Sequence, residues 1–316
     1  MADVSNSRTR TEATDSFRLI HGAADHHPGH YVEQLADWLL WQTENPDDAQ
    51  MRATLEETAA NRSLRGIYVK HLNRHVRGQH TKSVSPLLIS GEAAPEPFLV
   101  RENGISFELA FNEGYSYGLF LDQRENRRRL LERKVTEEFP LRASGDVLNT
   151  FAYTCAFSVC AAKAGYTTTS LDLSRKYLDW GKRNFQHNGL DPNAHDFIYG
   201  DALEWFRRLN NKGRKFDVII LDPPTFSKSR RGVFRAEKDY TQLVAAALPL
   251  LRRDGVLLSS TNAARLDDGR FLAMIDAAFR ETDRGISQEV ATYQPPDFPD
   301  TDDEPAYLKA VWTRVG

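Results

Sequence analysis

Three aspartates are placed to do chemistry together, because each stands at the end of a stretch that reads as a strand. Asp172 closes the run "TTTSL", Asp201 follows "HDFIYG", and Asp222 closes "FDVIIL". Behind Asp222 come Pro223, Pro224, Thr225 and Phe226. Prolines end strands because they cannot donate to a ladder, but a plain ending needs neither an acid before nor an aromatic behind. A carboxylate beside carbonyls that cannot fold back into a ladder is a set of acceptors for an amino group or a ring edge. Taken singly, a strand-end aspartate is more often a helix N-cap or turn former. One on each of three successive strands is a stronger signal than any alone.

The elements that must position these acids follow a strand–helix alternation from about residue 147. "DVLNTF" precedes a helix expected over 156–164, and "TTTSLDLS" precedes one over Arg175–His187. "HDFIYGDA" leads to 203–210, "KFDVIILDPP" leads through a loop to 240–251, and "DGVLLSSTN" leads to 267–280. The tail adds "SQEVATYQ" and "YLKAVWTRV" with no helix between them. This pattern predicts an α/β fold: a Rossmann-like, doubly wound, mostly parallel seven-stranded sheet with an antiparallel finish. Ligands in such sheets bind at the carboxyl ends of the strands, near the topological switch point. Residues 15–110 read differently. "FRLIHG" and "YVEQLADWLLWQT" suggest strands or a hairpin around the turn "ADHHPGH", and Met51, Leu55 and Ala59 give helical spacing over 47–61. "RGIYVKHL" and "PFLVRENGISFELAF" read as strands. We therefore expect a disordered tail over 1–14, a small α+β domain over 15–110 and the α/β domain over 111–316.

The loop after the first strand of the alternation, "NTFAYTCAFS" (149–158), contains no glycine. A dinucleotide site would need glycines there for the pyrophosphate to approach the backbone. A cofactor with adenosine but no phosphates relaxes that demand, and S-adenosylmethionine is such a cofactor. Asp172 is spaced to accept from ribose hydroxyls, and Asp201 from an adenine amino group.

Together "LDPPTFSKS", "LNTFAYTCAFSVCAAKAGYTTTSLDLSRKYLDWGKRNFQHNGL" and "GLFLDQRENRR" resemble class I S-adenosylmethionine-dependent methyltransferases. The likeness is to the bacterial large-subunit ribosomal RNA enzymes with cytosine-5 and guanine-N7 members, and we expect the PUA domain that many of them carry to be lacking here. It implies an RNA substrate, a cytoplasmic enzyme and no metal. It also implies that Tyr117, Phe120, Asp122 and Arg124 belong to a segment closing over the cofactor. Asn149, Phe151 and Tyr153 would line the methionine end, Asp172 and Leu173 the ribose, Asp201 and Ala202 the adenine. Asp222, Pro223 and Pro224 would face the methyl and the target base, with Phe226 as a base platform or a core anchor. Two residues depart from the family pattern: Cys155 for a glycine, and Tyr117 for a lysine. In the cytosine-5 members a cysteine follows the fifth strand, where this chain has Asn262, so N-methylation is favoured.

Other features bound the reading. A net charge of −3 offers no global basic field, but Arg124 and Arg127–Arg129, and Lys228, Arg230, Arg231 and Arg235, form local clusters. The first cluster reads as a solvated helix face or as phosphate contacts, the second as the better RNA candidate. His26, His27 and His30 surround a Pro-Gly turn and read as a surface turn. Two cysteines are too few for a disulfide framework, and Cys160 reads as core. No run of eighteen apolar residues suggests a membrane span, and the start lacks the apolar core of a secretory signal. Methylation of a small molecule or protein, a cofactor-binding module without catalysis, and a homodimer all stay open.

Overall fold

The strand Phe216–Leu221 is buried at every position, and its side chains alternate between two cores as the period of a strand requires. Ile219 and Leu221 join one apolar cluster, Val218 and Ile220 the other. A strand covered on both faces is the signature of a parallel sheet sandwiched between helices. The computed structural model describes residues 8–72, 85–229, 232–302 and 304–316. The chain divides into two units, one of Met1–Arg124 with Pro295–Ala306, the other of Glu125–Gln294 with Tyr307–Gly316.

The first unit is built on β1 (Ser16–His21), β2 (His30–Leu35), β3 (Trp38–Thr43), β4 (Gly66–His71) and β5 (Leu87–Gly91), paired in that order. The pairs are antiparallel except β3 with β4. Helix α1 (Ala49–Asn61) lays Met51, Leu55 and Ala59 against Val32, Leu39, Trp41, Ile67 and Val69. Asp48 caps it, accepting from the Met51 N–H at 2.9 Å. A separate ribbon pairs β6 (Phe98–Glu102) with β7 (Ile105–Leu109). Of the expected tail, residues 1–7 lie outside the described residues, while Arg8 pairs with Asp25 at 2.7 Å and Arg10 with Asp37 at 2.7 Å.

The second unit opens at the second residue of α2 (Arg124–Glu132), followed by a two-stranded pair, β8 (Lys134–Thr136) with β9 (Phe139–Pro140). Then the alternation begins: β10 (Asp146–Thr150), α3 (Ala156–Lys163), β11 (Thr167–Asp172), α4 (Arg175–His187), β12 (Asp196–Tyr199), α5 (Ala202–Asn211) and β13 (Phe216–Leu221). A short hairpin, β14 (Phe226–Ser229) with β15 (Gly232–Arg235), precedes α6 (Ala236–Ala247). The rest is β16 (Leu251–Thr261), α7 (Asp268–Glu281), β17 (Ile286–Thr292) and β18 (Lys309–Val315).

The seven-stranded sheet has the order β12-β11-β10-β13-β16-β18-β17. Its first four contacts are parallel, and β18 runs antiparallel between β16 and β17. The doubly wound sheet with an antiparallel finish is therefore as the sequence led us to expect. The chain winds outward from β10 to β12 and then returns to β13, so the switch point lies between β10 and β13. The helix expected over 240–251 begins four residues earlier and stops at Ala247. Pro249 lies in a 3-10 turn over Leu248–Leu250, because a proline inside a helix removes a hydrogen bond and clashes with the preceding turn. The loop expected before that helix is instead the hairpin β14–β15.

Candidate active site at the sheet switch point

The loop leaving β10 carries most of the backbone strain in this part of the fold. Phe151, Tyr153 and Cys155 have φ values of 56°, 50° and 63°, a left-handed conformation that costs side-chain-bearing residues about 1–2 kcal/mol each. It persists because neighbours hold the loop. The Asp172 carboxylate, at the end of β11, accepts from the Tyr153 N–H at 2.9 Å and the Ser174 N–H at 2.8 Å, and also from the Leu173 N–H. The Asn184 amide, from α4, donates to the Thr154 carbonyl at 2.9 Å. Burial pushes the Asp172 carboxyl above the usual carboxylate range, and the three backbone donors oppose the shift. A carboxylate has about four acceptor positions, so Asp172 keeps capacity for a hydroxyl.

Cys155 occupies the N-cap of α3 with its thiol turned inward, fully buried against Gly181 of α4. A Cβ on Gly181 would stand 2.3 Å from the Cys155 Sγ, so the glycine is what makes room for the sulfur. Burial raises this thiol to about 12. Cys160 is buried within α3, as its spacing suggested. The Cys155 thiol is therefore no nucleophile at neutral pH.

The other expected residues stand as follows. Asn149 is buried on β10 and donates its amide to the Ser158 hydroxyl at 2.9 Å, which in turn accepts from Ser170 at 2.8 Å. Tyr153 packs edge-on to Tyr177, with ring centroids 4.5 Å apart. Leu173 and Tyr199 are exposed apolar surfaces beside the ends of β11 and β12. Asp201 caps α5, accepting from the Glu204 N–H at 3.2 Å, and Ala202 is buried on the first turn. The strand-end acids therefore also do the capping and turn work that acids at such positions ordinarily do.

At the end of β13, Asp222 is half-buried, Pro223 buried and Pro224 exposed. Phe226 is 42% exposed, which removes the core-anchor reading for this ring. Two ties fix the corner. The Thr225 hydroxyl donates to the Asn262 side-chain oxygen at 2.9 Å, just past β16. Beneath it the Tyr240 hydroxyl oxygen, fully buried, lies 2.9 Å from the Leu221 carbonyl and accepts the Ser260 N–H at 2.8 Å. Burial and then the charge of Asp222 hold the Tyr240 phenol well above its ordinary value, so it stays protonated and able to donate. Sequence reading missed Tyr240, because a tyrosine on an apolar helix face looks like any core aromatic. Only the two strand ends that its oxygen joins set it apart.

Tyr117, Phe120, Asp122 and Arg124 lie in the first unit. Tyr117 is buried and donates to Glu33, which also pairs with Arg18 at 2.8 Å. Arg124 is buried and clasps Asp297 through both terminal guanidinium nitrogens, Nη1 at 3.0 Å. Phe120 is exposed and Asp122 half-buried. Of the neighbouring arginines, Arg127 is buried over the Phe157 ring, while Arg128 pairs with Glu125 and Glu132. That helix is thus only partly a solvated face. Arg230 and Arg231 of the second basic cluster lie outside the described residues. His30 sits within the fold, accepting from the Trp41 indole at 3.1 Å with Asp48 at 3.5 Å. No helix among the described residues is long and apolar enough to cross a membrane.

With strand-end acids around a switch point and a glycine-free first loop, comparison with known proteins is decisive. A family model for S-adenosylmethionine-dependent methyltransferases matches residues 17–314. The chain belongs to that family. This methyltransferase is 33% identical over 303 residues to YwbD of Bacillus subtilis, provisionally named a ribosomal RNA large subunit methyltransferase, covering 94% of this chain and 74% of that one. It is 30% identical over 312 residues to a ribosomal RNA large subunit methyltransferase of Deinococcus radiodurans, covering 96% and 73%. Among solved structures, SMU.776, a provisionally assigned methyltransferase in complex with SAH, superposes with a TM-score of 0.82. Identity there is 30%, with 96% of this chain and 76% of that one covered. The enzyme's cofactor is accordingly S-adenosylmethionine.

Proposed function

We propose that this methyltransferase acts on a base of RNA, with ribosomal RNA the substrate class its relatives' names suggest, and that it methylates a nitrogen rather than cytosine C5. The observation that carries the nitrogen reading is the corner Asp222–Phe226, whose neighbouring strand end presents Asn262 where a covalent mechanism would need a thiol. Cytosine-5 transfer requires a nucleophile that adds to the ring first. Both cysteines are buried, and Cys155 is held protonated.

The residues fit the cofactor without glycines in the first loop, because no pyrophosphate has to be cradled. Asp172, with spare acceptor capacity at the end of β11, would take the ribose hydroxyls, and the exposed Leu173 side chain would cover the sugar. Asp201 with Ala202 would meet the adenine. Phe151 and Tyr153, on the strained loop, would line the methionine end, with Asn149 supporting from beneath through Ser158. When bound, S-adenosylmethionine supplies an electrophilic methyl on a sulfonium. The chain's own work is to place the attacking nitrogen in line and exclude water. Asp222 and the Pro223 carbonyl would accept from an amino group or orient a ring edge, with Pro224 stiffening the turn. Phe226 is exposed enough to stack on a base, which is worth about 1–3 kcal/mol.

Transfer of labelled methyl from S-adenosylmethionine to total RNA, protein and metabolite fractions, followed by nucleoside analysis, tests this reading. Label is expected in RNA as an N-methylated nucleoside. Label in 5-methylcytidine would overturn the nitrogen assignment, and label confined to protein or metabolites would overturn the RNA assignment.

A further inference from the structure

Directly after the Asp222-Pro223-Pro224 corner the chain makes a ribbon whose two faces differ. Cross-strand partners and alternate residues share a face of a hairpin, so Phe226, Val233 and Arg235 lie on one face, and Ser227 and Phe234 on the other. On the second face Phe234 is half-buried in the main core, its ring 6.3 Å from that of Phe151 in the strained loop. On the first face Phe226 is 42% and Val233 44% exposed, and Arg235 is exposed as well. Among the described residues the Arg235 guanidinium makes no ion pair; Asp239 accepts the Arg235 backbone N–H at 2.7 Å. The ribbon's base is pinned, because the Ala236 N–H donates to the Thr225 carbonyl at 3.1 Å and Thr225 holds Asn262.

The hairpin is anchored at its base and through one aromatic, and its other face turns a partly exposed phenylalanine, a partly exposed valine and an exposed arginine toward solvent beside the Asp222 corner. We propose that this outer face of β14–β15 is a docking surface for the single-stranded RNA that adjoins the target nucleotide. Phe226 supplies a stacking plane, Val233 an apolar neighbour and Arg235 a phosphate contact, the combination by which proteins hold single strands without reading sequence. The charge chooses nucleic acid over an apolar peptide. Continuity with the Asp222 corner places the bound strand beside the methyl-transfer site. The inference rests on the RNA reading above.

Binding of an end-labelled, mixed-sequence, single-stranded 20-nucleotide RNA should be measured against salt for the full chain and for Arg235→Gln and Val233→Glu. S-adenosylhomocysteine affinity is measured alongside. Each variant is expected to bind the RNA at least about fivefold more weakly, as loss of a stacking or phosphate contact implies, with cofactor affinity unchanged. Arg235→Gln should also reduce the slope of log affinity against log salt by about 0.7, the value for one phosphate contact on a single strand. Variants that keep wild-type RNA affinity and slope overturn the docking surface while leaving the RNA reading intact. Variants that lose cofactor instead make the ribbon a cofactor lid, which also overturns it. A wild-type chain that binds no RNA overturns both.

Discussion

The Tyr240 hydroxyl and the Leu221 carbonyl lie 2.9 Å apart, so a helix residue nineteen positions downstream sets where the Asp222 corner begins. The same oxygen accepts the Ser260 N–H, and β13 and β16 are thereby joined at the edge where methyl transfer is proposed. Tyr240→Phe keeps the packing but leaves a buried N–H and carbonyl without that partner, which costs about 1–3 kcal/mol. We expect a lower unfolding midpoint in denaturant, a reduced kcat and an unchanged affinity for S-adenosylhomocysteine. A kcat equal to wild type would show that the tie is structural only.

Asp222→Ala removes the carboxylate from the corner while leaving Asp172 and Asp201 in place. Methyl transfer should be abolished, with cofactor binding spared by more than an order of magnitude relative to that loss. Equal losses in activity and in a cofactor titration would sink the role given to Asp222.

Asp172 serves both the loop and, in the proposed role, the ribose. Asp172→Ala strips an acceptor from the Tyr153 and Ser174 N–H groups, so it should weaken S-adenosylhomocysteine binding at least about tenfold and destabilise the fold by about 1–3 kcal/mol. Burial raises the Asp172 carboxyl, so its protonation on acidification begins at higher pH than for a free aspartate. Wild-type cofactor affinity should therefore fall as pH drops through that raised range. The Asp172→Asn profile should be flat there, and a parallel fall in both, followed by calorimetry, would exclude Asp172 as the titrating group.

Both thiols are buried, and burial pushes the Cys155 thiol up to about 12. Iodoacetamide at pH 8 should leave native protein unmodified by mass spectrometry and label both cysteines after denaturation. Rapid native labelling of Cys155 would reopen a role for it as a nucleophile.

In the first unit, Lys70 is buried with its ammonium 3.6 Å from the centroid of the Tyr115 ring, and burial lowers its value to about 8. The folded state then holds fewer protons on this group than the unfolded chain between about pH 8 and 10.5, so its burial penalty is complete below pH 8 and fades as pH rises. The stability gap between wild type and Lys70→Met should move in favour of wild type by about 3 kcal/mol across that window, at about 1.4 kcal/mol per unit. Denaturant titrations that show a constant gap would mean an ordinary lysine.

The seven-stranded α/β sheet was legible in the sequence because strand and helix periods repeat in strict alternation. The acids at the ends of β11, β12 and β13 were legible because each stands where a strand pattern gives way to a turn or a helix pattern. The absence of glycine from 149–158 was also plain, and so was the cofactor class it favours. What the linear pattern lacked were the partners. A helix limit set by Pro249 was misjudged, because apolar spacing continues past it into β16. The hairpin β14–β15 looked like a loop, because its short strands carry charges and have only one buried face. Tyr240, the Thr225–Asn262 tie and the inward turn of the Cys155 thiol join residues far apart in the chain, and contacts of that range exist only once the sheet is closed. The sequence by itself therefore determined which groups stand at the strand ends; the tertiary structure decided which of them are held, buried or exposed, because burial and hydrogen-bond partners belong to the folded chain.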